Sequence, residues 1–115
     1  MTQPAHERSV YFSGLDSLEK VQAASARGEL EKLYLLPPQF GGKDVAENIV
    51  YVPLGIAPVK ERTDATVAEL LRSGAITKYT ATPEYGGTSF VPKKIVIKAW
   101  HPQKEAGLNS VLEVW

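Results

Sequence analysis

The segment that most restricts the fold is Leu33-Tyr34-Leu35-Leu36-Pro37-Pro38-Gln39-Phe40-Gly41-Gly42-Lys43-Asp44-Val45-Ala46-Glu47-Asn48-Ile49-Val50. Leu30 to Leu36 is short and apolar, the signature of a buried strand. Pro37 and Pro38 cannot donate to a ladder, so the strand must end there. Gly41-Gly42 marks a turn, and the β-branched and aromatic run from Asn48 to Val52 predicts a second strand. A strand, a glycine-containing turn and a second strand leading to a helix form a layout in which small domains often place chemistry. Yet this stretch contains no histidine, cysteine or serine.

Helix signals flank this unit. Asp16 and Glu19 resemble the two halves of a capping box, and they predict a helix from about Ser17 to Arg27. Leu18, Val21 and Ala24 or Ser25 lie on its apolar side, and Gly28 stops it. Pro58 suits a first helical turn. From there to Arg72, Val59, Thr63, Val67, Leu70 and Leu71 define one face, with Lys60, Glu61, Arg62, Asp64, Glu69 and Arg72 mostly directed to water. Gly74 ends that helix.

The remainder reads as β structure. Val10-Tyr11-Phe12 suggests a short strand after a disordered lead-in at residues 1–9. Ala75–Thr82 and Lys94–Trp100 suggest strands joined through the Gly86-Gly87 hairpin turn. His101–Leu108 reads as a polar loop, and Ser110–Trp115 as a last strand. With 115 residues, residues 10–115 form a single α+β domain. The expected order is β-α-β-β-α-β-β-β, a mostly antiparallel sheet with two helices packed on one face.

Charge and composition narrow the function. Thirteen basic and thirteen acidic side chains give zero formal net charge. Nucleic acid is therefore a poor partner class, since a binder of phosphates normally carries a basic excess. The absence of cysteine removes disulfides and thiolate metal sites. The polar start, Met1–Arg8, lacks the apolar core of a signal peptide. No apolar run approaches the roughly 20 residues that span a bilayer. These features predict a soluble cytoplasmic protein that needs no membrane.

Few residues suggest chemistry. His6 and His101 are far apart in sequence and read as surface histidines. No HExxH, CxxC, P-loop or GxSxG pattern occurs, and no cofactor or metal is expected. Ser13, Ser89 and Ser110 have no neighbouring base in the sequence. If the turn region is active, its candidates are Tyr34, Asp44, Glu47 and Asn48, with the carboxylates available for acid–base work or for a hard cation. Glu84 stands beside the second glycine turn. Lys93, Lys94 and Lys98 make a small basic cluster, adequately explained as a solvated strand face. Tyr79, Tyr85, Phe90, Trp100 and Trp115 are the candidate interface residues, because Trp and Tyr concentrate at binding hot spots.

Pro37-Pro38-Gln39-Phe40-Gly41-Gly42, followed by Asn48-Ile49-Val50 and a helix carrying Glu69-Leu70-Leu71, resembles the DNA/RNA non-specific endonucleases of the His-Me finger (ββα-metal) type, a module common in bacterial polymorphic toxins. Gly74–Tyr79 and Phe90–Ile95 are similar to the strands that follow the finger in the toxin versions. The resemblance covers roughly residues 31–99. Aligned on the Phe-Gly-Gly turn, Glu31, Lys32 and Tyr34 fall where the family has aspartate, arginine and the catalytic histidine. Asn48 matches the family's first asparagine, whereas its proline comes later, at Pro53. Ala57 and Pro58 stand where the metal-binding asparagine belongs. The resemblance thus implies a degenerate copy without general base or metal ligand. A tyrosine with a pKa near 10 is a poor base for water at neutral pH, and without a metal little stabilises the leaving oxygen. The expected function is a non-catalytic protein-binding module of bacterial type, immunity-like or otherwise tied to toxin systems, whose partner is another protein or a second copy. The alternative is a small metal-dependent nuclease or hydrolase using the carboxylates and Tyr34.

Overall fold

The computed structural model describes the backbone of residues 5–115 and the side chains of residues 9–115. Among the described residues the fold is α+β, with three α-helices and two antiparallel sheets. Helices α1 (Ala5–Ser13) and α2 (Leu18–Ala26) lead into strands β1 (Leu30–Tyr34) and β2 (Ile49–Pro53). Helix α3 (Ile56–Ser73) follows, then strands β3 (Lys78–Tyr85), β4 (Pro92–His101) and β5 (Lys104–Glu113).

The expected strand at Val10–Phe12 is helical instead and closes α1. Phe12 and Leu15 lie three residues apart and are both buried, a spacing that a helical turn satisfies and a strand does not. The segment before β4 holds them in place. The Ser89 hydroxyl donates to the Phe12 carbonyl at 2.6 Å, and the Phe90 N–H donates to the Leu15 carbonyl at 2.8 Å. From Ala5 onward the expected lead-in is helical backbone. The His6 side chain lies outside the described residues.

Helix α2 is capped one residue later than Asp16 suggests. The Ser17 hydroxyl accepts from the Lys20 N–H at 3.2 Å, while Asp16 pairs with the Lys20 ammonium at 2.8 Å. Gly28, at φ +79°, takes the left-handed turn that ends the helix.

Two separate sheets replace the one expected. β1 pairs only with β2, and β3, β4 and β5 form a meander in that order. The two sheets share a core of Leu30, Leu33, Val50, Val52, Ile95 and Ile97. A smaller cluster, Val67, Ile76 and Ala99, joins the second half of α3 to the meander.

The polar loop expected at His101–Leu108 is also mostly strand. β4 turns directly into β5 between His101 and Lys104. The His101 Nδ1 accepts from the Gln103 N–H at 3.0 Å, which closes the turn. Gly107 sits opposite Trp100, and a Cβ there would lie 2.9 Å from the Ala99 carbonyl. The glycine marks close backbone approach inside a strand and not a loop.

Candidate functional site

The connection from β1 to β2 carries the resemblance, and its geometry begins with Asn48. The Asn48 side chain behaves like a piece of backbone. Its Oδ1 accepts from the Leu36 N–H at 2.8 Å, and its Nδ2 donates to the Leu36 and Lys43 carbonyls at 2.9 and 3.0 Å. The Leu35 N–H adds a bond to the Asn48 carbonyl at 2.9 Å. Both amide N–H groups and one lone pair of the oxygen are engaged in closing the loop, so Asn48 serves as a clamp between the strand ends.

Tyr34 and Asp44 meet, a contact that only the hydrolase alternative called for. The Tyr34 hydroxyl donates to Asp44 Oδ1 at 2.9 Å, and the Lys32 ammonium reaches the same oxygen at 3.2 Å. The tyrosine bond first, and the lysine second, hold the Asp44 carboxyl below its usual range. Asp44 is therefore a settled carboxylate. Glu47 does not join them. It is exposed and has no hydrogen-bond or ion-pair partner among the described residues. Among the described residues, no group of three or more His, Cys, Asp or Glu side chains is placed to hold a metal ion. Glu31, on the first strand of the turn unit, accepts from the Ala57 N–H at 3.1 Å and so caps the start of α3.

Tyr34 opens on a cleft of about 310 Å³ between β1, the Pro37-Pro38 corner and α3. Its floor holds a group that sequence reasoning placed in water. Lys60 and Asp64 are 3% and 5% exposed. The Lys60 ammonium donates to Asp64 Oδ2 at 2.7 Å and to the Tyr79 hydroxyl at 3.0 Å. The Tyr79 hydroxyl in turn lies 2.8 Å from Asp64 Oδ1 and 3.4 Å from the Leu35 carbonyl. The apolar stripe read in the sequence holds in the second half of α3, where Val67 is buried and Leu70 and Leu71 pack beside it; in the first half Lys60 and Asp64 take the inward positions, and Val59 is 38% exposed. The i, i+4 spacing of an oppositely charged pair on the stripe of Val67 was the available signal.

Burial lowers the Lys60 pKa by more than Asp64 restores. Burial, reinforced by Asp64, pushes the Tyr79 hydroxyl far above its usual range. No buried polar side-chain atom is left without a hydrogen-bond partner among the described residues. The cleft floor is thus a closed circuit of mutually satisfied groups, which joins α3, β3 and the end of β1. One pH effect follows. Above pH 10 unfolded Tyr79 ionises while folded Tyr79 keeps its proton, so unfolding releases a proton and stability falls as the pH rises. Lys60, whose pKa burial lowers, acts in the opposite sense over the same range, so the test is a difference: in denaturant titrations between pH 9 and 11, the parent should lose stability relative to Tyr79→Phe as the pH rises past 10.

The five candidate interface aromatics separate into two groups. Tyr79 belongs to the buried circuit and also packs edge-on against Phe40, with ring centroids 5.4 Å apart. Trp115 donates from Nε1 to the Val91 carbonyl at 3.0 Å and lies beneath the Lys93 ammonium. Trp100 is partly exposed on the outer face of the meander, across from Gly107. Tyr85 and Phe90 are half exposed, and they border a groove of about 420 Å³ together with Leu18 and Val21 of α2 and Ile49 and Tyr51 of β2. Leu18, expected on the buried side of its helix, is 55% exposed on this rim.

Comparison with family models, curated proteins and solved structures gives no match to this chain. Among the described residues, no helix is long and apolar enough to cross a membrane.

Proposed function

We propose that this chain is a non-catalytic protein-binding module, and that the groove between α2, β2 and the β3–β4 connection is where it engages its partner. The observation that carries this reading is the set of large apolar side chains left in water around that groove. Leu18, Tyr85 and Phe90 each leave half or more of their surface exposed. Side chains of this kind gathered on one rim mark interaction surfaces. The state of the polar cleft agrees, since its buried groups are spent on one another.

The order β1–β2–α3 supports kinship with the ββα-metal finger. Tyr34 and Ala57 then stand on the cleft where the family has its base and its metal ligand. A copy altered in this way suits a regulatory partner within a bacterial toxin system, immunity proteins being one such class.

The test is photo-crosslinking in the native host, with a benzophenone side chain at position 90 and, as control, at position 100. A discrete protein adduct from position 90, absent from position 100 and lost with Leu18→Asp, supports the proposal. Adducts of equal yield from both positions, or none from position 90, overturn it. The affinity of the purified pair should fall at least about tenfold with Leu18→Asp, as for a central apolar anchor.

A metal-dependent hydrolase is the second reading, favoured by the Tyr34–Asp44 pair at the mouth of a polar cleft. It requires phosphodiester cleavage, with magnesium or manganese present, that Asp44→Ala abolishes.

A further inference from the structure

Strand β2 has one neighbour, β1, and its other side runs along the apolar groove. The Leu35–Asn48 bond sets the phase of the β1–β2 ladder. Leu33 with Val50, and Glu31 with Val52, are then the hydrogen-bonded pairs. Ile49, Tyr51 and Pro53 therefore direct their backbone groups away from β1. The Ile49 N–H is used by the Ala46 carbonyl in the preceding turn. The Tyr51 N–H and the carbonyls of Ile49 and Tyr51 have no backbone partner among the described residues. Ile49, Val50 and Tyr51 all line the groove. Consecutive strand residues point to opposite faces, so the three can border one groove only along the strand's edge.

The chemistry of this edge differs from that of the other sheet. The outer strands of the meander carry Lys78 and Glu84 on β3, and Lys104, Glu105 and Glu113 on β5. Charges of this kind protect exposed edges against pairing. Ile49-Val50-Tyr51-Val52 carries none. Among the described residues, none that lines the groove is charged. An occupant bearing a charge would lose hydration there with no counter-charge in return, so charge matching selects an uncharged segment.

We propose that the groove takes an extended, uncharged peptide segment of the partner, which adds to the open side of β2 as a third strand. This rests on the protein-binding reading and specifies its mode. The Tyr51 N–H donates to the incoming chain, the carbonyls of Ile49 and Tyr51 accept from it, and Leu18 and Phe90 flank its side chains.

The probe is the uncharged hexapeptide acetyl-Thr-Val-Thr-Val-Thr-Val-amide, followed by amide NMR of the full chain. On saturation, exchange of the Tyr51 N–H with solvent should slow at least about tenfold. Peptides N-methylated at alternate residues keep the side chains and lose the main-chain donors of one edge. One of the two N-methyl registers should bind at least about tenfold more weakly. Tyr51→Pro removes the outward donor and leaves the bonds to β1 in place, so it should weaken the hexapeptide by a similar factor. Should Tyr51→Pro fail to fold, Ile49→Lys, which puts a charge on the edge, asks the same question.

Absence of binding at millimolar peptide overturns strand addition. So does binding that leaves the Tyr51 amide unchanged, or that tolerates N-methylation in both registers. A crosslinked partner that is lost with Leu18→Asp but indifferent to Tyr51→Pro overturns strand addition alone. A partner indifferent to both changes overturns the protein-binding reading as well.

Discussion

Asp64→Ala should destabilise the fold by about 3–5 kcal/mol and lower the thermal midpoint by more than about 10 °C. The substitution leaves the Lys60 ammonium 3% exposed with no counter-charge, since its other partner, the Tyr79 hydroxyl, is neutral. An unpaired buried cation is among the most costly defects a core can hold. The origin of the loss can be checked with the double variant Lys60→Met, Asp64→Leu. It removes both charges and fills the space with apolar atoms, while Tyr79 keeps the Leu35 carbonyl within reach. Chemical denaturation should show the double variant well above Asp64→Ala in stability, because apolar replacement of a buried pair is often neutral or favourable. A double variant no more stable than the single one would mean that Lys60 and Asp64 hold the fold by something other than mutual compensation.

Gly42→Ala should be the most damaging change in the β1–β2 connection, on the order of 3 kcal/mol. A Cβ at residue 42 would lie 1.7 Å from the Leu36 carbonyl oxygen, 2.6 Å from its carbon and 2.9 Å from Asn48 Nδ2. Two of those atoms are backbone, held by the Asn48 amide, so no side chain can swing aside to make room. The neighbouring glycine is the control. Gly41 has φ +93° and open space around its would-be Cβ, so Gly41→Ala carries the left-handed penalty alone, about 1–2 kcal/mol. Denaturant midpoints of the two variants should rank in that order. Equal losses would show that the Asn48 clamp yields readily.

The parts of this fold visible in the sequence are those decided within a few residues. Gly28 and Gly74 end α2 and α3 because each terminus needs a left-handed residue, and the chain supplies one at the right place. Gly86-Gly87 lies in the β3–β4 connection for similarly local reasons, whereas β1 ends at Tyr34, short of the Pro37 stop, because the Asn48 side chain takes the Leu36 backbone groups. What escaped was decided by distant partners. Val10-Tyr11-Phe12 has strand composition, yet it is helical where the Ser89–Val91 segment receives Phe12 and Leu15. Pro102 does mark a turn, but Gly107, which also reads as loop, is absorbed by the pairing of β5 with Trp100. The division into two sheets is a matter of which strands find one another, which no local pattern encodes.

The candidate site divides in the same way. The contact of Tyr34 with Asp44 was legible because ten residues with a tight turn return one to the other. Burial of Lys60 and Asp64 was not, because it depends on Tyr79, a residue of another element that brings its hydroxyl to both. Charged side chains on a helix are read as facing solvent unless something across the core answers them. The groove was half visible: Tyr85 and Phe90 stood out as aromatics, while their proximity to Leu18 and the open side of β2 is purely tertiary.

The meander also bears on how the chain reaches its fold. β3, β4 and β5 follow one another between Lys78 and Glu113, and each pairs with its immediate successor, so their assembly closes only short loops. The β1–β2 pair must instead bring its ends together across a connection whose closure depends on a single asparagine. The C-terminal third is therefore equipped to nucleate, with the N-terminal layer condensing onto it later. Changes at Asn48 would then act chiefly on the rate at which the native state opens.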